Sequence, residues 1–402
     1  MAEASLKLGG SWGVKEGSLL GFNDENGNYK PIPFDFTRAT TATRVNRNGL
    51  IEEVQEGVPR IDFTGDGSLL LEPQRTNLIT YSEDFSNAAW AKSNVSITSN
   101  STTSPDGLSN GSLMTITGGT SDQRISDDVT YSGTNVFSIF AKANDSKWLS
   151  LRIGSSANKW FDLENGVLGN STITTALVDS FIEDFGNGWY RCGIIFTDSS
   201  TTNTRIYPAE NDLDITHTSG SVYIWGAQAE SSSSYATSYI KTSGSAVTRN
   251  ADVCQNISAS DYIGQTEGTL YGEFDFKDHS TGTRRLLCLT DGSTSNRITT
   301  YVNTLDKLSV YIVNGGAAQA DMQATTLTDG VLKYAVAYAN NSIKFYLNGS
   351  QVGTDTSATI PATSRLYIGS ENGNLPSYFN WKNCQLYKTA LTDTELEELT
   401  TI

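Results

Sequence analysis

Residues 147–153 have the sequence KWLSLRI, in which apolar and polar side chains alternate. Side chains two residues apart on an extended strand share a face, and here one face carries Leu149, Leu151 and Ile153. The opposite face carries Trp148, Ser150 and Arg152. An apolar face opposite a polar face is typical of a half-buried antiparallel strand. The stretch therefore predicts a sheet with one side in a core and the other side toward solvent.

The same two-residue period recurs along the chain, for example in residues 189–196 (WYRCGIIF) and 342–347 (SIKFYL). Asn-Gly and Asp-Gly dipeptides, which tolerate the positive φ that tight hairpins require, separate such segments throughout the sequence. Many short strands between turn signals indicate sandwiches or barrels. One helix is well signalled, because Thr392 and Glu395 have the spacing of a capping box.

The composition excludes several classes of partner. The chain has 402 residues, with 44 acidic against 28 basic side chains and a net charge of -16. Nucleic acids and anionic membranes require a basic surface, so neither is an expected partner. No apolar run approaches the roughly 18 residues of a membrane span, and the first residues lack the pattern of a signal peptide. We therefore expect a protein that does not insert into a membrane and that is made in the cytoplasm, or is exported by a route that the sequence does not show.

The organisation along the chain suggests three regions. Residues 1–80 are rich in Gly and Asn, whereas residues 81–253 and 260–402 are each a series of alternating segments. A Ser-rich stretch at 231–234 precedes the end of the middle series, and residues 242–245 (TSGS) indicate the linker zone. The fold expected from this pattern is all-β, with two antiparallel β-sandwich (jelly-roll) domains after an irregular, partly β N-terminal region.

The last region contains segments that are characteristic in their order and spacing. These are residues 332–338 (LKYAVAY), 343–349 (IKFYLNG), 366–369 (LYIG), 381–387 (WKNCQLY) and 390–393 (ALTD). In this order they resemble the laminin-G-like, concanavalin A-like lectin/glucanase sandwiches. The resemblance covers about 140 residues and implies a β-sandwich over residues 260–402.

Two earlier groups of segments resemble tail-fibre-like and head-fibre-like bacteriophage virion proteins. The first group is residues 36–46 (FTRATTATRVN), 49–54 (GLIEEV), 58–62 (VPRID) and 71–78 (LEPQRTNL). The second group is residues 223–230 (YIWGAQAE), 237–242 (TSYIKT) and 248–253 (TRNADV). The part between the groups resembles a carbohydrate-binding-module jelly roll, to which residues 161–166 (FDLENG) and 186–191 (GNGWYR) also fit.

These resemblances imply a virion protein of the fibre or capsid-decoration type. The N-terminal region would attach the chain to other capsid or tail proteins, and the sandwiches would adhere to host-surface polysaccharide. By analogy with fibre proteins we expect a homo-oligomer, and a trimer in particular. A purely structural role as capsid or tail cement is the alternative. A depolymerase is a third class, and it requires a catalytic carboxylate pair.

A glycan site needs aromatic faces for the sugar ring and planar hydrogen-bonding groups for its hydroxyls. The outward positions of the middle region supply both kinds of group: Trp148, Arg152, Trp160, Asp162, Arg205 and Tyr207. Strands of one sheet could bring these residues together, which makes them the predicted carbohydrate-binding residues. Two other interpretations stay open. The tryptophans could pack under a loop or against a neighbouring domain, or they could form a subunit interface.

The N-terminal region also holds the main concentration of basic residues: Arg38, Arg44, Arg47 and Arg60. These arginines could dock the chain on an acidic neighbour in the virion. The alternative is that they are solvated or paired locally.

Catalytic chemistry is weakly signalled, so the chain is predicted not to be an enzyme. Glu273 and Asp275 lie on one strand face and resemble the acidic strand of laminarinase-type glucanases, but the third acid is Asp278 where that motif has Glu. No catalytic residue is therefore predicted.

Cofactor chemistry is weakly signalled as well. Cys192 and Cys384 are expected to be free thiols in the core, and His217 and His279 have no motif partner. No cofactor is expected, apart from a structural calcium ion for which the acidic loops at 126–128 and 210–214 are candidates.

Overall fold

The structure is a computed structural model that describes residues 2–10, 12–23, 30–119, 122–214, 216–277, 282–373 and 377–402. The strands in the first half of the chain are β1 (Leu6–Gly9), β2 (Gly13–Lys15), β3 (Ser18–Asn23), β4 (Lys30–Thr37), β5 (Ala42–Val45), β6 (Ile51–Val54), β7 (Arg60–Asp62), β8 (Ser68–Leu71), β9 (Arg75–Asn77), β10 (Ala91–Ser93), β11 (Val95–Thr102), β12 (Gly111–Ile116), β13 (Arg124–Thr130), β14 (Thr134–Ala143), β15 (Trp148–Ile153), β16 (Ala157–Asp162), β17 (Val167–Leu168), β18 (Leu177–Asp184) and β19 (Trp189–Thr197). The later elements are β20 (Thr201–Ala209), β21 (Ser221–Glu230), β22 (Val247–Arg249), β23 (Val253–Asn256), β24 (Glu267–Phe276), β25 (Arg284–Thr290), β26 (Arg297–Val302), β27 (Lys307–Asn314), β28 (Ala317–Thr326), β29 (Gly330–Ala339), β30 (Ser342–Leu347), β31 (Ser350–Asp355), β32 (Arg365–Ile368), β33 (Phe379–Tyr387) and the helix α1 (Asp393–Thr400). The all-β fold expected from the sequence is confirmed. None of the helices in the described ranges is long and apolar enough to cross a membrane.

The chain forms two compact units that each combine distant segments. Unit 1 comprises Met1–Thr41, Val54–Gln74 and Asn250–Ile402, and unit 2 comprises Ala42–Glu53 and Arg75–Arg249. This division differs from the three consecutive regions expected from the sequence. The reason is pairing between strands far apart in the chain: β1 pairs with β33 in unit 1, and β9 pairs with β22 in unit 2. The first 80 residues are also more regular than expected, since they contain β1 to β9.

Unit 1 is a sandwich of two antiparallel sheets. Sheet A runs β31-β30-β29-β24-β33, and the far side of β33 pairs with β1 and with β8. Sheet B runs β28-β27-β26-β25-β32-β23-β4. Strand β4 belongs to both sheets, because Phe34 pairs with β3 beside sheet A and Phe36 pairs with β23 in sheet B. A strand that passes from one sheet to the other forms a corner of the sandwich.

The core of unit 1 lies between these sheets. It is formed by alternate apolar residues of both, including Leu270 and Phe274 of sheet A and Ile298 and Val310 of sheet B. The other face of sheet A is covered by α1, whose Leu396 packs with Tyr271. The predicted capping box is confirmed, with Thr392 as N-cap and Glu395 bonded back to the Thr392 backbone. The outer face of sheet B carries polar and aromatic side chains, which are described below.

Unit 2 is a second sandwich of two six-stranded sheets. Sheet C runs β10-β13-β20-β15-β16-β17, and sheet D runs β11-β12-β21-β14-β19-β18. Leu149, Leu151 and Ile153 of sheet C meet Cys192 and Ile194 of sheet D in the core, as the alternation predicts. The central part of the outer face of sheet D is also buried. There the hairpin of β5 and β6 packs on a cluster of large aromatic side chains: Phe140, Trp189, Trp225 and Tyr239.

Candidate functional site

The predicted carbohydrate-binding residues lie on one side of sheet C. Strand β15 places Arg152 directly opposite Arg205 of β20. Two positions along β15, Ser150 is opposite Tyr207 of β20 and Trp160 of β16. Because directly paired residues project to the same face, the register brings all of these side chains to the outer face of sheet C. The sequence prediction that neighbouring strands assemble them is therefore consistent with the observed pairing.

The central aromatic side chains of this face are not open to a ligand. Trp160 is 3% exposed and Tyr207 is 2% exposed. The loop after β17 runs along this edge, and a Cβ added to Gly169 would lie 3.0 Å from Cβ of Trp160 and 2.6 Å from Cζ3 of Trp148. Asp212 anchors the loop, because its carboxylate accepts hydrogen bonds from the backbone NH and Nδ2 of Asn170. Trp160 therefore packs under a loop, which is one of the interpretations that the sequence left open.

Asp162 also has a structural role. Its Oδ1 accepts hydrogen bonds from the backbone NH groups of Glu164 and Asn165, and its Oδ2 accepts one from Nδ2 of Asn165. The residue is buried. A carboxylate used in this way closes the turn after β16 and leaves little capacity for a sugar hydroxyl. Asp162, Trp160 and Tyr207 are thus removed from the predicted contact surface because they are buried.

Arg152 and Arg205 remain accessible beside an open groove at the other end of the strands. Nε of Arg152 donates to the carbonyl of Gly154 at 2.8 Å, and Nε of Arg205 donates to Oδ1 of Asn203 at 2.6 Å. The groove has a volume of about 560 Å³, and small polar residues form most of its wall: Ser155, Ser156, Ser200, Thr201, Thr202 and Asn203. Trp148 lies on the same face, about 13 Å along the strand.

The arginines at this groove have few carboxylate partners. Within the residues that the structure describes, no carboxylate forms an ion pair with Arg152 or Arg205. A third guanidinium, Arg124, lies on the same face and pairs with Asp122. Burial lowers the pKa of Arg124, and the positive charges of Arg205 and Arg152 lower it further. This end of sheet C therefore gathers three guanidinium groups, of which only Arg124 forms an ion pair among the described residues.

The predicted docking arginines separate into two kinds. Arg38 and Arg60 are fully buried in unit 1, where Arg38 pairs with Asp252 at 3.1 Å and Arg60 pairs with both Glu72 and Asp252. Arg38 also donates to the carbonyls of residues 40, 54, 55 and 58. These two arginines cannot contact a neighbouring virion protein, and the prediction of a docking role for them is corrected.

Arg44 and Arg47 lie in unit 2 at the β5–β6 hairpin. Arg44 is half-buried and forms an ion pair with Glu52 at 2.7 Å. Arg47 is exposed. The local pairing that the sequence left open as an alternative thus applies to Arg44, and a docking role for this hairpin stays a prediction.

A second polar groove lies on the outer face of sheet B in unit 1, and the sequence analysis did not identify it. Glu371, in the loop after β32, lies 2.8 Å from Nε of Arg285 and 3.2 Å from a terminal nitrogen of Arg297. The guanidinium of Arg285 stacks over the ring of Tyr301 with 5.0 Å to the centroid, and that of Arg297 stacks over Tyr311 with 5.7 Å. Arginines, a carboxylate and tyrosine rings are the groups that recognise sugar hydroxyls and pyranose faces.

The sequence pattern indicates which residues form part of this groove. The alternation in residues 297–302 (RITTYV) places Arg297, Thr299 and Tyr301 on one face, as β26 shows. Glu371 has no such signal, because it reaches the strands from a loop 74 residues later than Arg297. Below the ion pairs lies Cys288, whose pKa is raised to about 12, first by burial and then by the charge of Glu371.

All four cysteines are free and buried, as expected for core thiols. Burial raises the pKa of each thiol, so none is a candidate nucleophile.

The carboxylates of the glucanase-like motif lie away from the sheet B groove. Tyr271, Glu273 and Asp275 share the face of sheet A that carries α1, and the hydroxyl of Tyr271 donates to Glu273 at 3.1 Å. The third acid, Asp278, lies outside the described residues, as does His279. The prediction that the chain is not an enzyme stays untested.

No group of three or more potential metal ligands occurs in the described part of the chain. Of the two candidate calcium segments, residues 126–128 lie within strand β13 and not in a loop, which corrects that expectation, and Asp128 accepts a hydrogen bond from Asn203. In the segment 210–214, Asp212 and Asp214 accept bonds from Asn170 and Thr216. Calcium binding stays a prediction.

Comparison with known proteins agrees with the fold of unit 1. The model of the concanavalin A-like lectin/glucanases superfamily matches residues 275–397. No curated protein sequence matches the chain.

Several solved structures are similar over about one third of this chain. The CBM40 domain of a Ruminococcus gnavus IT-sialidase is 18% identical, with 34% of this chain and 84% of that chain covered and a TM-score of 0.30. The NanB sialidase of Streptococcus pneumoniae is 16% identical, with 37% and 26% covered and a TM-score of 0.32. A SAP-like pentraxin of Limulus polyphemus is 14% identical, with 33% and 69% covered and a TM-score of 0.27. The family match places a concanavalin A-like, lectin-like β-sandwich domain at residues 275–397 of this chain.

Proposed function

We propose that this protein binds host-surface polysaccharide as a bacteriophage virion protein of the fibre or capsid-decoration type. The observation that carries the glycan-binding part is the sheet B groove of the lectin-like domain. There Glu371 holds Arg285 and Arg297 over two tyrosine rings. The groove offers donors and acceptors at one place beside two tyrosine rings, and its ion pairs fix the side chains before a ligand arrives. Preorganisation of this kind lowers the entropic cost of binding.

The charge of the groove suits a neutral or weakly charged sugar. Two guanidinium groups and one carboxylate leave a single net positive charge. Each side chain retains lone pairs or NH groups for hydroxyls, because one carboxylate can accept several hydrogen bonds and a guanidinium can donate five. A single site of this size binds weakly. Many copies on one particle would raise the avidity without new contacts.

The virion part of the proposal is supported by the sequence segments that resemble fibre proteins. The two groups of segments are about 150 residues apart in the chain but are bonded to each other within the fold. In unit 2, Nδ2 of Asn77 donates to the carbonyls of Ala227 and Ile240. In unit 1, the backbone NH of Glu72 donates to Asp252. We further propose that the chain is a non-enzymatic homo-oligomer on the particle, trimeric by analogy with fibre proteins.

Glycan binding is tested with the purified full chain on immobilised bacterial surface polysaccharides. We expect binding that Arg297→Ala weakens at least tenfold, because this change removes both a hydrogen-bonding group and the cation above Tyr311. Lys15→Ala, an exposed change in β2 of the same unit, is the matched control and should leave binding unchanged. Binding by neither the wild-type chain nor the control would contradict the proposed glycan binding. Release of reducing ends from the polysaccharide would contradict the proposed lack of enzymatic activity.

The place on the virion is tested by electron microscopy of intact particles with gold-labelled antibody against residues 260–402. Label on fibres or at the tail tip would favour host adhesion, and label over the head would favour capsid decoration. Absence of label from particles that contain the protein would mean that the domain is buried between neighbours. That result would support the cement role in place of adhesion.

A further inference from the structure

We infer that the groove at Arg152 and Arg205 in unit 2 is a separate site for an oxyanion, namely a carboxylate, sulfate or phosphate group carried by a glycan. The glycan part of this inference rests on the proposed function, whereas the anion part rests on the geometry of unit 2 alone. The first step is the cross-strand pairing. Arg152 and Arg205 are direct neighbours on β15 and β20, and like charges in this position destabilise a sheet.

The second step is the lack of local compensation. The chain has 16 more acidic than basic side chains, so acidic partners are abundant. The three carboxylates near the groove are nevertheless engaged elsewhere. Asp128 accepts a hydrogen bond from Nδ2 of Asn203, Asp198 accepts one from Ser200, and Asp122 pairs with Arg124. Asp128 and Asp198 keep their negative charges, because their donors are neutral, but neither forms an ion pair with the two guanidinium groups, whose charges are therefore only partly offset at a distance.

The third step is the orientation of the guanidinium groups. Each Nε is bonded to a neutral acceptor, the carbonyl of Gly154 for Arg152 and the amide oxygen of Asn203 for Arg205. These bonds fix the planes of both groups, and neither bond uses a terminal nitrogen. The terminal nitrogens of arginine form the fork that binds carboxylate, sulfate or phosphate with two parallel bonds.

The fourth step is the wall of the groove. It is lined by Ser and Thr hydroxyls and by the backbone around Gly154, with Asp198 as its one carboxylate. Hydroxyl and backbone NH groups complete the shell of an oxyanion, and a charged ligand gains more from such donors than a neutral one. The aromatic residues Trp160 and Tyr207 are covered, so ring stacking contributes little here. The groove therefore favours charge over a sugar face, in contrast to the groove of unit 1.

The experiment uses matched pairs of polymers with and without the anion. Binding of the full chain is measured to dextran and dextran sulfate, and to polygalacturonate and its methyl ester. The first pair tests sulfate, and the second tests carboxylate. We expect the charged member of at least one pair to bind at least tenfold more tightly. Arg152→Gln with Arg205→Gln should remove this preference. Lys15→Gln with Lys30→Gln, which changes the net charge equally at exposed sites of unit 1, should retain it.

A second measurement is independent of glycan. Inorganic sulfate is titrated into arginine-labelled full chain, and the NMR signals of the Nε–Hε groups are followed. Shifts confined to Arg152 and Arg205 together with no binding of any polysaccharide would support the anion site and contradict the proposed function. Equal binding of charged and neutral polymers, unaffected by the double substitution, would leave glycan binding intact and overturn the anion site. Absence of both sulfate shifts and polysaccharide binding would overturn both.

Discussion

Each of the two units places two arginines at a groove on the outer face of one sheet, but their electrostatic surroundings are opposite. In unit 1, Arg285 and Arg297 share the carboxylate of Glu371. In unit 2, Arg152 and Arg205 face each other across two strands, with no carboxylate paired to either among the described residues. The first arrangement is satisfied without a ligand and retains a single positive charge. The second is complete only when an anion is bound. The placement of carboxylates, more than the number of arginines, therefore determines what each groove can bind.

In a third pair of arginines, carboxylates compensate both positive charges. Arg38 and Arg60 have two carboxylates, Glu72 and Asp252, and all four side chains are inaccessible to solvent. Each of the four lies close to a point where the chain passes from one unit to the other, at residues 41, 54, 74 and 250. The network therefore binds together the segments that enter and leave unit 1. These four residues therefore serve folding.

The largest effect is expected from breaking this buried network. Arg60→Met removes a guanidinium that two buried carboxylates share, so the ion pairs that Arg60 forms with Glu72 and Asp252 would be lost. We expect unit 1 to lose about 3–5 kcal/mol of unfolding free energy. The measurement is hydrogen exchange by mass spectrometry in increasing guanidinium chloride, because peptides report each unit separately.

Arg44→Met is the control for this prediction. Its ion pair with Glu52 is partly exposed to solvent, with 27% and 36% of the two side chains accessible. We expect a loss of less than about 1 kcal/mol in unit 2. Equal effects of the two substitutions would contradict the structural role of the buried network.

The next largest effect is expected from a substitution that gives the unit 1 groove the charge arrangement of the unit 2 groove. Glu371→Gln removes the shared carboxylate of unit 1 and leaves Arg285 and Arg297 without counter-charge. We expect this groove to gain affinity for inorganic sulfate, as inferred for unit 2, and to lose affinity for neutral polysaccharide. Removing one partner of these largely buried pairs should also cost unit 1 roughly 1–3 kcal/mol. Sulfate titration followed at the Arg Nε–Hε signals measures the gain.

Glu371→Asp is the matched control because it keeps the charge. It should bind no more sulfate than the wild-type chain does. A sulfate response of the Asp variant equal to that of the Gln variant would show that side-chain length, and not charge, controls the groove.

The pKa of the Cys288 thiol, which lies beneath the unit 1 groove, provides a second measure of the charge lost in Glu371→Gln. Burial and Glu371 raise the pKa of its thiol to about 12, and Arg285 and Arg297 act in the opposite direction. Without the Glu371 charge the pKa should fall, so the thiolate fraction at pH 9 should rise. Alkylation by iodoacetamide at pH 9, resolved by mass spectrometry, should therefore be faster at Cys288 in Glu371→Gln. Cys254 and Cys384, which are buried thiols of the same unit, serve as the internal controls, and a parallel increase there would indicate opening of unit 1 instead of a change in the pKa of Cys288.

The sequence predicted the parts of the fold that depend on neighbouring residues. The alternation in 147–153 gave the correct faces of β15, and Thr392 with Glu395 marked the start of α1. Strand pairing over long distances was not predictable. The contact of Leu6 with Leu386 joins the two ends of the chain, and no local pattern indicates it.

The site was predictable only in part, for the same reason. Periodicity identified which residues of sheet C face outward, and so it identified Arg152 and Arg205. It could not show that a loop anchored by Asp212 covers Trp160. Glu371 was missed because its partners Arg285 and Arg297 are on distant strands.

The smallest effect tests whether the arginine pair of unit 2 is maintained at the expense of stability. Arg205→Glu would place a carboxylate directly opposite Arg152, and an opposite-charge pair across strands contributes about 0.2–1 kcal/mol. The comparison is with Arg205→Gln, which equally lacks the bond to Asn203. We expect the Glu variant to unfold about 1–3 °C higher than the Gln variant and to bind no sulfate. A Glu variant that is no more stable would mean that the two guanidinium groups do not repel each other in the wild-type fold. A more stable variant that has lost anion binding would show that the wild-type chain tolerates repulsion at this position because a ligand relieves it.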